Sequence, residues 1–158
     1  MILKGIVDED FVNYKVPSMF IAFPKCSFKC EMENKDCCCQ NSVLAREKNI
    51  VVDVGTVVRR YIHNEITRAI VCGGLDPIDS FDDLHGLINY IRRAGVDDDI
   101  VIYTGYTEKE VHSELKVLRC YKNIIVKFGR YIPNATKRYD EVLGVTLASN
   151  NQYAKRIS

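Results

Sequence analysis

The chain has 158 residues, enough for one ordinary domain with a sizeable hydrophobic core. Twenty-two Lys and Arg stand against 21 Asp and Glu, and this net charge of +1 gives no electrostatic case for nucleic acid or an anionic membrane surface as the main partner. A hydrophobic share of 47% with 27% charged residues, and only nine glycines and four prolines, excludes disordered, collagen-like and linker-rich chains. No apolar stretch is long enough to span a bilayer. The first ten residues carry acids where a secretory signal needs an apolar run. The expectation is a single domain over residues 1–158 in the cytoplasm.

In chain order, Ser18 to Phe23 reads as a buried strand ending at Pro24. A cysteine-bearing loop at about 24–42 follows, rich in Lys, Glu, Asn and Asp, and cannot be regular helix or strand throughout. Asp53 can cap a helix from Val54 to about His63, with Val54, Val57, Val58 and Tyr61 at helical spacing. Ile66 to Cys72 reads as a second strand, stopped by Gly73-Gly74. Asp79 or Ser80 can cap a second helix whose Phe81, Leu84, Leu87, Ile88 and Ile91 share a face, ending near Gly95. Ile100 to Tyr103 is a third strand. Thr107 and Glu110 have the spacing of a capping box for a third helix, through roughly Leu118. Ile124 to Phe128 is a fourth strand, ended by Gly129. The rest, Arg130 to Ser158, mixes polar loop with one apolar patch, Val142 to Leu147.

Strand and helix thus alternate, and the strands are apolar throughout. That is the α/β pattern: a mostly parallel sheet with covering helices, open or closed only into a partial (βα) barrel, since four or five strands are too few for eight. Ligands of such sheets sit at the carboxyl ends of the strands. Here those ends carry the cysteine loop, Gly73-Gly74, Thr104-Gly105-Tyr106 and Gly129-Arg130.

Seven cysteines are the exception to an otherwise plain composition. Their odd number, without an export signal, argues against a disulfide framework. Cys26, Cys30, Cys37, Cys38 and Cys39 crowd into one loop, poor core material but a ready set of thiolates for zinc or an iron–sulfur cluster. Three consecutive cysteines point in different directions, so one or two of Cys37, Cys38 and Cys39 can share a single cluster. Zinc and iron–sulfur remain equally open from the loop alone.

A strand, Cys26-x3-Cys30, a further cysteine, then Asn41 two residues after Cys39 resembles the cluster loop of radical S-adenosylmethionine (SAM) enzymes. The nearest likeness is to the small activating enzymes of anaerobic ribonucleotide reductase. In that family three cysteines hold a 4Fe–4S cluster and leave one iron open to the amino and carboxylate groups of SAM. The usual Cys-x3-Cys-x2-Cys spacing is lengthened here by Glu31 to Asp36. The resemblance implies Cys26, Cys30 and Cys39 as metal ligands, with Cys37 the second choice for the third position and Cys38 the last. Gly73-Gly74-Leu75-Asp76-Pro77 is similar to the family's Gly-Gly-acid-Pro segment with Leu75 added, which implies Gly73, Gly74 and Asp76 at the SAM amino group.

Tyr103-Thr104-Gly105-Tyr106 resembles a strand-end stretch of the reductase-activating branch. Gly129-Arg130-Tyr131 and Ser149-Asn150-Asn151-Gln152 are similar to its late segments. Asn41, Tyr103, Thr104 and Asn150 join the implied cofactor site, and the likeness runs in order from about Val12 to Ile157. It implies reductive cleavage of SAM to a 5′-deoxyadenosyl radical, which abstracts hydrogen from a glycine of a partner. That partner is a glycyl-radical enzyme such as anaerobic ribonucleoside-triphosphate reductase, and an external electron donor is required. The lengthened loop and the added Leu75 also fit a second reading, a non-catalytic iron–sulfur or zinc-binding module on the same fold.

His63, His85 and His112 fall on expected helices as surface residues, and no Ser/His/Asp order or phosphate loop is present. Cys72 reads as buried, Cys120 as structural, and Asp97-Asp98-Asp99 as a solvated turn.

Overall fold

The computed structural model describes residues 1–158. Its centre is a six-stranded sheet whose strands lie in the order Tyr153–Arg156, Ile124–Phe128, Asp99–Tyr103, Ala69–Gly74, Ser18–Phe23 and Gly5–Asp10. The four inner strands are β3 (Ser18–Phe23), β5 (Ala69–Gly74), β6 (Asp99–Tyr103) and β7 (Ile124–Phe128), all parallel. They are the apolar runs of the sequence, as strands covered on both faces must be. The edges, β2 (Gly5–Asp10) and β10 (Tyr153–Arg156), pair antiparallel and carry charge, which suits strands with one side open to water. Two small antiparallel pairs complete the strands: β1 (Ile2–Leu3) with β4 (Ile50–Val51), and β8 (Arg138–Asp140) with β9 (Val145–Leu147).

Side-chain alternation divides the core in two. Ile70, Cys72, Ile100, Ile102, Ile124, Val126 and Phe128 face the helices α3 (Val54–Ile62), α4 (Phe81–Arg93) and α5 (His112–Leu118). Ala69, Val71, Val101 and Ile125 face the other way, under Tyr14, Leu143 and Leu147. The second face therefore has no helix over it. Loops and the β8–β9 ribbon cover it, and this leaves room for a cavity. No helix is long and apolar enough to cross a membrane.

The α/β class, the mostly parallel sheet and the covering helices are as the patterning predicts, and four local features differ. β5 starts at Ala69 rather than Ile66, because the Asn64 Oδ1 accepts from Ile66 N at 2.8 Å and Thr67 N at 3.2 Å and holds a turn there. Neither Asp79 nor Ser80 caps α4 with its side chain. The chain enters α4 through a 3₁₀ turn, Pro77–Ser80, capped by Asp76. Asp79 is drawn instead to Ser27 N and the Tyr106 hydroxyl, both at 2.7 Å. The Thr107–Glu110 pair does form, with Thr107 N donating to Glu110 Oε2 at 2.9 Å, but α5 begins only at His112. Asp97-Asp98-Asp99 is more than a solvated turn: Tyr61 donates to Asp98 at 2.6 Å, and Tyr14 and Arg156 donate to Asp99.

Candidate metal and cofactor site

β3 ends at Phe23 and delivers Cys26 directly beyond the carboxyl edge of the sheet. The loop then makes α1 (Lys29–Asn34), which carries Cys30, passes the cysteine triplet, and makes α2 (Ser42–Arg46). Neither short helix buries a residue, so polar anchors hold the loop rather than packing. Asn41 Nδ2 donates to the Gly74 carbonyl at 2.6 Å. Asn34 Nδ2 donates to the carbonyls of Cys30 at 2.7 Å and Tyr131 at 3.3 Å. Ser27 Oγ meets the Tyr106 hydroxyl at 2.9 Å. Arg130 pairs with Glu33 of α1 at 3.1 Å and bonds Glu110 at 3.0 Å, which holds the Glu110 carboxyl well below the usual carboxylate range.

These anchors close one side of an open cavity of about 360 Å³. Cys26, Cys30 and Cys39 line it, while Cys37 and Cys38 do not. Cys37 is exposed, and the Cys38 thiol donates to the Cys30 carbonyl at 3.6 Å. Gly73, Gly74, Asp76, Tyr103, Thr104 and Asn41 also line the cavity, so the cysteine loop meets the ends of β5 and β6 there. Asn150 does not: it is exposed in the turn after β9, and Gln152 reaches the cavity instead. The Gln152 amide is spent within the fold, accepting from Ser149 N and donating to the Gly129 carbonyl, each at 3.2 Å. Cys72 is fully buried among the core residues, and Cys120 is exposed rather than packed.

Several of these residues build the cavity wall rather than offer free groups. Asp76 is 6% exposed and both its oxygens are taken. Oδ1 accepts from Ile78 N at 3.1 Å, and Oδ2 accepts from Gly105 N at 2.9 Å and the Thr104 hydroxyl at 3.0 Å. Burial nonetheless raises its carboxyl to about 6, outweighing these donors. The Tyr103 hydroxyl donates to the Asn13 carbonyl at 2.6 Å, so its ring forms the wall. At Gly73 a Cβ would stand 3.0 Å from the Phe20 ring, which itself faces the cavity. A side chain at position 73 would therefore press on its neighbour on β3, and the Phe20 ring would have to give by a few tenths of an ångström.

Burial pushes the Cys26 thiol up to about 12 and also raises Cys30, so both are protonated in the metal-free chain. Phe28 N donates to Cys26 Sγ at 3.2 Å, an interaction that favours the thiolate. No three His, Cys, Asp or Glu side chains converge tightly enough for a single metal ion. A cubane cluster places each thiolate on a different iron, and three soft donors facing one cavity fit that requirement.

The alternating sheet, the cysteine loop and the cavity at the strand ends define an α/β protein with a thiol-lined site at the carboxyl edge of its sheet. Residues 18–153 match the model of the 4Fe-4S single cluster domain family, and the chain belongs to that family. No curated protein and no solved structure matches the chain.

Sequence reasoning overlooked Lys127 and Phe20 at this site, and it placed Arg130 at the strand ends without foreseeing its pairing with Glu33 and Glu110. Lys127 is 7% exposed and lines the cavity. A single lysine inside the run Ile124-Ile125-Val126-Lys127-Phe128 was the available signal.

Proposed function

We propose that the chain is a radical SAM activating enzyme in which Cys26, Cys30 and Cys39 hold a 4Fe–4S cluster. SAM would occupy the adjoining cavity, and its reductive cleavage would serve to remove a hydrogen atom from a glycine of a partner glycyl-radical enzyme such as anaerobic ribonucleoside-triphosphate reductase. An external donor supplies the electron. The observation that carries this reading is the division within the cysteine loop. Three cysteines line the cavity with Gly74 and Tyr103, while Cys37 and Cys38 stay outside it. Three thiolates leave one iron of a cubane without a protein ligand, and an open coordination position is what a reactive metal centre needs.

When bound, the cluster and SAM supply one-electron reductive cleavage of the SAM sulfonium. The chain supplies position and surroundings. Asn41 ties the loop that bears Cys39 to the end of β5 through the Gly74 carbonyl. Asp76 aligns Thr104 and Gly105 at the end of β6 with the turn after β5. Phe20, Tyr103 and Leu147 give the cavity apolar walls on the side of the sheet's second face. No acid–base pair is needed from the protein for cleavage of this kind.

The test is anaerobic reconstitution with iron and sulfide, reduction, and electron paramagnetic resonance with and without SAM. A 4Fe–4S signal that changes on adding SAM, is lost in Cys39→Ala and persists in Cys37→Ala is expected. A signal indifferent to SAM would overturn the enzyme reading and leave a closed iron–sulfur module. Loss of the cluster in Cys37→Ala but not Cys39→Ala would overturn the ligand set.

A further inference from the structure

Four residues in a row, Val145, Thr146, Leu147 and Ala148, line the cavity. The first three are β9, an extended strand, and successive side chains of a strand point to opposite sides. Val145 and Leu147 pack toward the core under the β8–β9 ribbon, while Thr146 is exposed on the outside. A cavity that touches both sides of a strand in succession borders its edge rather than either face. β8 fixes which edge: it pairs with β9 along one side, and none of Arg138–Asp140 lines the cavity. The cavity therefore runs along the edge of β9 that has no partner strand. Outside the ladder with β8, the main chain of Val145–Ala148 makes no backbone hydrogen bond.

An unpaired strand edge is a template for a further strand, and proteins commonly blunt it with charge or proline. The edge strands β2, β8 and β10 all carry charged residues, whereas Val145-Thr146-Leu147 has neither charge nor proline. In the turn between β2 and β3, Val12 lines the same cavity and is 75% exposed, next to Phe11 at 64%. We propose that the free edge of β9 binds an extended peptide segment of a partner protein as an added strand, with Val12 and Phe11 receiving its apolar side chains. This rests on the proposed function above and specifies how the partner is recognised, through its main chain. An extended polypeptide is the ligand whose N–H and C=O groups repeat at the spacing of a strand edge. Alternation turns every second side chain of the added strand into the cavity. A glycine at such a position presents a bare Cα and leaves the space between the strand and the cysteine loop open, which suits the glycine of that reading.

The probe is a capped nonapeptide, Lys-Ser-Val-Ser-Gly-Ser-Val-Ser-Lys, with two derivatives. One carries N-methyl groups on the two serines that flank the glycine, the other on the two valines. Binding to the anaerobically reconstituted protein with SAM present is measured by equilibrium dialysis, and amide hydrogen exchange of the full chain locates it. The parent peptide should bind in the millimolar range and slow exchange over residues 145–148, but not over α3 or α4. One derivative should bind roughly 10- to 100-fold more weakly and the other as the parent does, because alternate N–H groups of a strand face opposite edges. Equal binding of the two derivatives, protection elsewhere, or no binding at several millimolar would overturn the assignment. So would protection of residues 145–148 that grows with protein concentration in the absence of peptide, since a second copy of the chain would then occupy the edge. If the cluster signal responds to SAM and the peptides fail these tests, the strand-edge assignment falls alone. If the peptides pass and the signal ignores SAM, the edge stands and the radical SAM reading falls.

Discussion

Gly74 and Gly86 offer opposite outcomes from the same substitution. Gly74 ends β5 with φ at +84°, and its carbonyl takes the Asn41 amide. A Cβ there would lie 2.8 Å from Ala22 Cα, 2.9 Å from Ala22 Cβ and 3.0 Å from Phe23 N. These atoms belong to the neighbouring strand β3 and cannot rotate aside. A left-handed backbone costs an L residue about 1–2 kcal/mol, and overpacking a closed site about 1–3 kcal/mol. Gly74→Ala should therefore lose about 2–5 kcal/mol, a large part of the roughly 5–15 kcal/mol that holds a domain folded. Gly86 is exposed inside α4 and a Cβ there would meet nothing within 4 Å. Gly86→Ala should gain about 0.5–1 kcal/mol through helix propensity alone. Urea unfolding of the reduced, metal-free chain, followed by circular dichroism, measures both. A Gly74→Ala chain within about 1 kcal/mol of wild type, or a Gly86→Ala chain that loses stability, would refute the reasoning.

Burial holds the Asp76 carboxyl at about 6 in the folded chain against an ordinary 3.8, so the folded state binds that proton more tightly than the unfolded one. Its contribution is fully present below pH 3.8 and is lost as pH rises through 6, which is about 3 kcal/mol across the window. The stability difference between wild type and Asp76→Asn should shift against wild type from pH 4 to pH 7. A difference flat over that range would show that Asp76 titrates normally. Asn41→Ala removes an exposed hydrogen bond and should cost no more than about 1 kcal/mol of fold stability. It should nevertheless speed loss of iron from the reconstituted protein to a chelator, since this amide ties the Cys39 segment to β5. Iron lost at the wild-type rate would mean the bond does not restrain the loop.

The inner sheet was legible in the sequence because its strands are short apolar runs closed by glycine or proline, and β3 runs over Ser18–Phe23 as read. α3 and α4 were legible because their buried positions recur at helical spacing and Asp53 caps the first. The edges were not. Gly5–Asp10 holds three acids, and nothing in Gly-Ile-Val-Asp-Glu-Asp separates a strand exposed at one edge from a polar loop. α1 and α2 were equally hidden, since helices of six and five residues with no buried position have no amphipathic period to detect. They exist because Asn34, Arg130 and Lys4 anchor them from outside, Lys4 by donating to the Ala45 carbonyl at 3.0 Å.

At the site, a motif can name residue types but not how their atoms are spent. Asp76 and Thr104 have the composition of ligand-binding residues, yet they bond each other across the ends of two strands. Asn150 and Gln152 look interchangeable in sequence, and the turn after β9 turns one to solvent and the other inward. Lys127 is the converse case: an apolar reading of its strand passed over it, although period-two alternation alone assigns it to the face opposite the helices. A lysine there gains nothing from packing that Val or Ile would not provide. What it adds is polar: its Nζ donates to the Gly129 carbonyl at 3.0 Å, so the turn that ends β7 is held from the cavity side by a residue that hydropathy alone counts against the strand.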